Sequence, residues 1–95
     1  MLETDMEQSW QRLAQSLSCL SLKLNAKGMR DFPDQTVLCP GGHCFFIEFK
    51  LPGEEPRKGQ KWYHRLLRNL GFTVYVVDNL VEARQILIVE LEKDK

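Results

Sequence analysis

The amino-acid sequence predicts an α/β domain whose elements follow the order α-β-β-β-α-β-α. Apolar residues recur at helical spacing near both ends of the chain and in its second half. Between these segments lie short runs rich in β-branched and aromatic residues, and a Gly-Gly pair typical of a hairpin joins two of them. We expect a single domain over residues 1–95, because a chain of 95 residues is too short for two.

The first half of the chain predicts one helix and three strands. Met6 and Trp10 begin the apolar stripe of the first helix, and Thr4 or Asp5 can cap it. Leucines alternate with polar residues after this helix, which predicts a short strand with one polar face. The predicted bounds are 4–18 for the helix, 20–24 for this strand, 26–33 for a loop, and 36–39 and 44–49 for the hairpin strands.

The second half predicts a helix, a strand and a last helix. The helix covers 57–70 and is closed by Gly71, a usual residue after a helix end. The apolar run 72–77 follows as a strand. Asn79 then caps a helix from about Leu80 to about Glu92.

Composition excludes several classes of protein. No apolar run is long enough for a membrane span, no signal peptide is recognisable, and three cysteines argue against a disulfide framework. We therefore expect a soluble cytoplasmic protein. The net charge is zero, but residues 20–70 carry nine bases against five acids, whereas both ends are acidic. A basic middle can face a polyanion such as DNA.

Glu48 and Lys50 are the first candidates for chemistry. They share one face of an otherwise apolar strand, where a buried charge is costly unless it has a partner. A bare pair of this kind predicts a simple ion pair. Asp34 changes that interpretation, because a three-residue loop of Gly41-Gly42-His43 would place Asp34 opposite Lys50 and diagonal to Glu48. A loop of two or four residues would place Asp34 on the other face.

Two carboxylates that converge at a strand end suit a hard cation. Oxygen ligands with open water positions favour Mg²⁺ or Mn²⁺. Such a cation polarises a scissile phosphate and lowers the pKa of bound water. Lys50 could orient that water or stabilise charge in the transition state. The pattern therefore predicts a metal-dependent phosphodiesterase.

The helix that follows the candidate site carries a basic stripe. Residues 57–70 contain no acid, which is unusual for an ordinary exposed helix. Gln60 lies near the helix start, from where its amide can reach the strand ends. The stripe, predicted to face solvent and phosphate, comprises Arg57, Lys61, His64 and Arg68. The opposite, core-facing side is predicted to comprise Tyr63, Leu66, Leu67 and Leu70.

Taken together, these motifs resemble a known nuclease family. Phe32-Pro33-Asp34 follows Gly28; then come Pro40-Gly41-Gly42, the run Phe46 to Gly53 that contains Glu48-Phe49-Lys50, Gln60, and Leu70-Gly71-Phe72 with the strand that follows. In this order and spacing the sequence resembles the VRR-NUC domain, the virus-type replication-repair nuclease branch of the PD-(D/E)xK superfamily. The resemblance covers nearly the whole chain and is most specific over residues 28–78.

The resemblance implies a restriction-endonuclease-like core, with a mixed sheet flanked by helices. It implies Asp34 and Glu48 as metal ligands, the Phe49 backbone carbonyl as a further ligand, Lys50 as the catalytic lysine and Gln60 as the motif glutamine. Family members also carry a glutamate on the first helix near the metal. Glu7 is the better match, with Glu3 as the fallback, and an acid favoured by the helix dipole is an equal explanation for Glu7.

Two positions depart from the family pattern. Many relatives have glycine where this chain has Asp31, and a basic or apolar residue where it has Gln35. Neither change removes a catalytic group. Asp31 could weaken the approach of DNA or act as an outer-shell ligand.

The resemblance also implies the partners. Free-standing members of this length resemble phage-type junction-resolving enzymes that act as homodimers, so we expect branched DNA as substrate, a homodimer, no membrane, and a prokaryotic or phage-infected host cell. Two sites related by a two-fold axis suit a four-way junction. The residues expected to contact DNA are Lys27, Arg30, Arg57, Lys58, Lys61, His64 and Arg68.

Two other interpretations remain open from the sequence. Cys39, His43 and Cys44, with the distant His64, could form a zinc site, although the Cys spacing is outside the tightest zinc patterns. A second possibility is a DNA-binding module, or a subunit of a larger repair complex, without catalysis. The complete set of Asp34, Glu48, Lys50 and Gln60 argues against that possibility.

Overall fold

The element order in the computed structural model is the one that the sequence predicts. The structure describes residues 3–24 and 27–93, apart from the side chain of Glu3. The elements are α1 (Glu3–Ser16), β1 (Leu20–Leu22), β2 (Gln35–Cys39), a 3₁₀ turn (Pro40–Gly42), β3 (His43–Phe49), α2 (Lys58–Asn69), β4 (Val74–Val77) and α3 (Leu80–Glu92). The Asn79 cap is confirmed, since its Oδ1 accepts a hydrogen bond of 2.8 Å from the Glu82 N–H.

The four strands form one mixed sheet in the order β1-β2-β3-β4. The pairs β1–β2 and β2–β3 are antiparallel, whereas β3 and β4 are parallel. Because parallel neighbours need a crossover connection, the chain between β3 and β4 contains α2. This topology leaves β3 in the interior of the sheet and brings its carboxyl end close to the start of α2.

Helices cover both faces of the sheet. On one face α1 and α3 pack on the main core, which includes Trp10, Phe45, Phe49 and Leu87. On the other face α2 packs through Leu67 on a smaller apolar cluster, whose members include Phe46 and Val74. Side chains alternate along β3, so the residues on the face of Phe46 include Glu48. The catalytic candidates therefore lie on the less apolar face of the sheet.

The strand β1 turns its polar residue inward. The alternation of leucine and polar residues predicts one polar face, and that face is the buried one. Ser21 is buried and its Oγ accepts a hydrogen bond of 2.8 Å from Trp10 Nε1, while Leu20 and Leu22 are exposed. The Ser21 hydroxyl also donates to Gln35 Oε1 at 2.8 Å, so a polar network joins α1, β1 and β2.

Within the described parts of the chain, no helix has the length and apolar character that crossing a membrane would require.

Candidate active site

The hairpin brings Asp34 to the face of Glu48. Cys39 pairs with His43 and Gln35 with Ile47, so the same register carried one residue further sets Asp34 opposite Glu48. The connecting loop has three residues, as the nuclease interpretation requires. It is Pro40–Gly42, however, and not the Gly41–His43 loop considered from the sequence.

The difference in loop position moves the pairing by two residues. A change of two keeps every side chain on its face, so Asp34 still shares a face with Glu48 and Lys50. The expected pairing of Asp34 opposite Lys50 is wrong. The pairing differs because the turn occupies Pro40–Gly42. Gly41 and Gly42 adopt φ values of 85° and 81° in this turn, a conformation that favours glycine.

The Asp34 carboxyl is held between a backbone donor and a second acid. Its Oδ2 accepts a hydrogen bond of 2.9 Å from the Phe49 N–H. The pKa of Asp34 is raised from 3.8 to about 6, first by burial and then by the charge of Glu48 and a hydrogen bond to Glu48, while the hydrogen bond from Phe49 opposes the rise. Two carboxyls thus compete for one partly buried volume, which is the arrangement that a cation would stabilise.

Glu48 is completely buried and is held by two side chains of α2. Gln60 Nε2 donates to its Oε2 at 3.0 Å, and His64 Nε2 lies 3.2 Å from its Oε1. The other end of the Gln60 amide accepts a hydrogen bond of 2.7 Å from the Arg57 N–H at the start of α2. Gln60 therefore caps the helix and orients Glu48 with the same side chain.

Lys50 follows directly after β3 and is buried on the face of Glu48. Its backbone N–H donates to the Val77 carbonyl at 2.9 Å, which fixes the chain where the strand ends. No ion pair with another described residue engages its ammonium group. The Phe49 carbonyl lies between Glu48 and Lys50 in the chain, and its role as a ligand stays a prediction.

The surroundings of His64 favour its neutral form. Burial lowers its pKa, and the nearby charges of Arg68 and Lys50 lower the pKa further. A neutral imidazole that donates from Nε2 satisfies Glu48 without cancelling its negative charge. His64 is therefore a partner of the carboxylate.

Glu7 approaches the site from α1. Its carboxylate binds Lys23 Nζ at 3.2 Å and 3.4 Å. Burial and the charge of Asp34 raise the pKa of Glu7, and the ion pair with Lys23 opposes this rise. Over residues 3–24 and 27–93, no group of three or more His, Cys, Asp or Glu side chains is arranged to hold a metal ion. The Glu3 side chain lies outside the described part of the structure.

A cleft of about 340 Å³ opens beside Asp34 and Gln60, and basic residues line it. Two of the predicted DNA contacts, Arg30 and Arg57, line this cleft. Lys23 lines it as well, although it was not predicted to contact DNA. Lys27 and Lys58 are exposed but do not line it.

Asp31, the departure from the family pattern, neutralises one of the basic residues at the cleft. Its Oδ1 accepts a hydrogen bond of 2.9 Å from Arg57 Nη2. The same carboxylate lies against Gly59, where a Cβ atom would come within 2.0 Å of Asp31 Oδ2. The glycine therefore allows Asp31 to approach the start of α2, where the helix dipole favours an acid.

The predicted faces of α2 are partly wrong. His64 is only 3% exposed and does not lie on the solvent-facing stripe, whereas Leu66 and Leu70 are exposed and not core-facing. The buried residues of the helix are Gln60, His64 and Leu67. The reason is that α2 packs on a surface containing Glu48, so polar partners are buried there in place of apolar ones. Gln60, His64 and Leu67 follow one another at intervals of four and three residues, and this spacing is the sequence signal that could have placed them on one face of the helix.

The cysteines and histidines do not form the zinc site considered from the sequence. Cys39 and His43 are a cross-strand pair on one face of the sheet, while Cys44 pairs with Leu38 on the other face. His43 Nε2 lies 2.7 Å from Glu90 Oε1, and His64 contacts Glu48. The four residues are therefore divided between separate environments.

Comparison with known proteins bears on the fold. No protein-family model and no curated protein matches the sequence. A solved structure described as "VRR_NUC domain" matches with a TM-score of 0.81 and 26% identity, over 90% of this chain and 92% of that one. The chain has a VRR-NUC domain fold. This VRR-NUC match indicates a nuclease domain, and it confirms the mixed sheet flanked by helices.

Proposed function

We propose that the chain is a metal-dependent DNA endonuclease. The observation that carries the proposal is the meeting of Asp34 and Glu48 on one face of the hairpin, with Lys50 beside them. Gln60 and His64 fix the Glu48 carboxylate by hydrogen bonds of 3.0 Å and 3.2 Å. Nothing in an ordinary structural core requires two acids to be held so close together.

The donor set fits a divalent cation. Burial and the neighbouring acid hold the pKa of Asp34 at about 6, so a cation between the carboxyls would offset both effects. Asp34, Glu48 and the Phe49 carbonyl would hold it, and carboxylate and carbonyl oxygens favour Mg²⁺ or Mn²⁺. When bound, the cation polarises the scissile phosphate and acidifies a water molecule. Glu7 is bound to Lys23 and is assigned a secondary position beside Asp34.

The protein's own residues then have separable tasks. Lys50 carries the positive charge on the face of the carboxylates, where it can stabilise negative charge that develops on the phosphate. Gln60 and His64 are positioning residues, because they act through the Glu48 carboxylate that they contact. Arg30, at the cleft, is suited to bind the DNA backbone, which it would recognise without reading sequence.

An apolar surface supports the proposal of a homodimer. The α2 helix leaves the β1–β2 half of its sheet face uncovered, and Leu20, Leu22 and Leu38 are exposed there. On α2 itself, Trp62 and Leu66 are exposed as well, and Leu70 is 66% exposed. Tyr63 of α2 contacts Phe32, with ring centroids 5.4 Å apart.

We assign this apolar surface to a second copy of the chain. Exposed apolar patches of this kind mark interfaces, and a small domain gains stability from covering one. Wild-type protein should sediment as a dimer, and Leu66→Glu should sediment as a monomer. Val81→Glu is the matched control, because Val81 is an exposed apolar residue on α3. A monomeric wild-type protein would contradict the dimer.

Activity on DNA tests the main proposal. Purified wild type is incubated with linear, flap, nicked and four-way-junction DNA, with Mg²⁺, Mn²⁺ or EDTA. We expect cleavage that needs the metal and favours the branched substrates. Lys50→Ala, and Lys50→Met, which keeps the buried aliphatic stem, should lower the rate at least a hundredfold. Lys50→Ala purified in parallel controls for contaminating nucleases, and Arg84→Ala on α3, which should keep the wild-type rate, controls for the substitution itself.

Each outcome of this assay bears on a different part of the proposal. Equal cleavage in EDTA would overturn the metal mechanism. Binding of DNA without cleavage by wild type would favour the non-catalytic module. Equal rates on linear and branched DNA would remove the proposed preference for junctions. The cytoplasmic location and the prokaryotic or phage origin remain predictions from the sequence.

A further inference from the structure

A second basic concavity lies on the opposite flank of α2 from the Asp34 cleft. Its volume is about 340 Å³. It is lined by Pro56, Lys61, His64, Arg65, Arg68 and Val76. We call this concavity the β4 pocket, because Val76 belongs to β4. It shares no lining residue with the cleft beside Asp34.

The β4 pocket concentrates positive charge. Lys61, Arg65 and Arg68 follow one another at helical spacing, and no acidic residue lines the pocket. In the described structure neither arginine is in an ion pair, in contrast to Arg57, which Asp31 neutralises at 2.9 Å. The Lys61 ammonium is 3.9 Å from Glu55 on the exposed surface, a distance at which an ion pair is weak.

Arg68 is already fixed at the wall of the β4 pocket. Its Nη2 donates a hydrogen bond of 2.7 Å to the Val74 carbonyl. A guanidinium has five N–H donors in a planar arrangement, so most of them remain for a ligand. Fixing the side chain in advance lowers the entropy that a ligand must overcome on binding.

The β4 pocket is also close to the catalytic candidates. Val76 is the register partner of Glu48 in the parallel pair, and neighbouring strands are roughly 4.8 Å apart. His64 both lines the pocket and contacts Glu48. A group bound in the pocket would therefore lie one strand away from the buried carboxylate.

We propose that the β4 pocket binds a DNA phosphate other than the one that is cut. This inference rests on the proposed nuclease function and adds a subsite to it. Arginine binds phosphate oxygens through paired N–H donors, and phosphate contacts fix the position of a nucleic-acid strand. The phosphate has two sources, an internal phosphodiester of the strand that is cut or a terminal phosphate monoester. A phosphate held in the β4 pocket would fix how many nucleotides separate it from the scissile bond.

The first test measures DNA binding in EDTA by fluorescence anisotropy over a series of NaCl concentrations. Arg65→Gln is compared with Arg84→Gln, which removes the same charge from an exposed position on α3. We expect Arg65→Gln to bind roughly tenfold more weakly at low salt and to reduce the salt slope of log K by about one. Arg84→Gln should match the wild type. Equal slopes for the two variants would overturn the inference.

The second test identifies the phosphate. Single neutral methylphosphonates are placed one at a time along the cleaved strand, and cleavage with Mn²⁺ is measured for wild type and Arg65→Gln. If the pocket holds an internal phosphate, one non-scissile position slows the wild type and leaves Arg65→Gln unchanged. If it holds a terminal phosphate, removing that phosphate has the same selective effect. The absence of any selective position contradicts the subsite. Failure of the wild type to cleave contradicts the nuclease proposal itself.

Discussion

Replacement of Asp34 by asparagine should stabilise the metal-free protein at neutral and higher pH. Asparagine keeps an oxygen that can accept the Phe49 N–H, but it removes the charge that opposes Glu48. In the wild type, the pKa of Asp34 is raised from 3.8 to about 6. The folded protein thus holds this proton more tightly than the unfolded chain. Its contribution to stability is complete below about pH 4 and is lost as the pH rises through about 6.

The magnitude follows from that change in pKa. A rise from 3.8 to about 6 corresponds to roughly 3 kcal/mol between the two protonation states. Because Asp34 is partly exposed, water and salt screen the repulsion, and we expect about 1 to 2 kcal/mol to remain. Asp34→Asn should therefore exceed the wild type in free energy of unfolding by that amount at pH 8, and should equal it at pH 4.

Urea unfolding in EDTA at pH 4 and pH 8 measures this difference. The other titrating groups are present in both the wild type and Asp34→Asn, so their contributions cancel in the comparison. Addition of Mn²⁺ at a hundredfold excess over its Kd should then reverse the order, because the wild type gains about 2 to 3 kcal/mol from binding and the variant loses a ligand. A variant that is less stable than wild type in EDTA at pH 8 would refute the reasoning. So would a difference that is the same at both pH values.

Three further predictions concern the surroundings of the site. Gln60→Ala should lose about 1 to 2 kcal/mol in urea unfolding, since one amide caps α2 and holds the buried carboxylate, and its cleavage rate should fall about tenfold or more. His64, whose pKa is lowered by burial, should make stability decrease as the pH falls below about 6.5. In an Asp34→Asn background, His64→Gln should abolish that decrease between pH 8 and pH 5. Tyr75→Phe removes a hydrogen bond of 2.6 Å to Glu90 and should cost about 1 to 2 kcal/mol, with the cleavage rate unchanged.

The hairpin shows how far sequence patterns can specify a site. The Gly-Gly pair predicts the turn, and the alternation of side chains predicts that an odd loop brings Asp34 to the face of Glu48. The exact pairing was not predictable, because it depends on where the positive φ values fall. The prediction held for the face although the register was wrong by two residues, since a change of two leaves the face unchanged.

The α2 helix shows where local patterns fail. Apolar periodicity assigns Leu66 and Leu70 to the core and His64 to solvent, and the structure has the opposite arrangement. Periodicity assumes that a helix packs on an apolar surface. Here the surface beneath the helix contains a buried acid, so hydrogen-bonding partners of Glu48 replace leucines at the contact. The displaced apolar residues remain on the surface that we assign to a second copy.

By itself, the sequence determined the order of the elements, the hairpin and the Asn79 cap, and it singled out Asp34, Glu48, Lys50 and Gln60 as candidates; the predicted cap of the first helix at Thr4 or Asp5 was wrong, because α1 already includes both residues. These features depend on residues close together in the chain, or on side-chain alternation along a strand. Only the tertiary structure decided that His64 joins Gln60 on Glu48, that Asp31 neutralises Arg57, and that Arg65 and Arg68 line a separate pocket. Those pairings depend on how α2 is rotated against the sheet, and that rotation is set by contacts between residues far apart in sequence. The nuclease motif can therefore be recognised from the chain alone, whereas the electrostatic surroundings of its carboxylates require the fold.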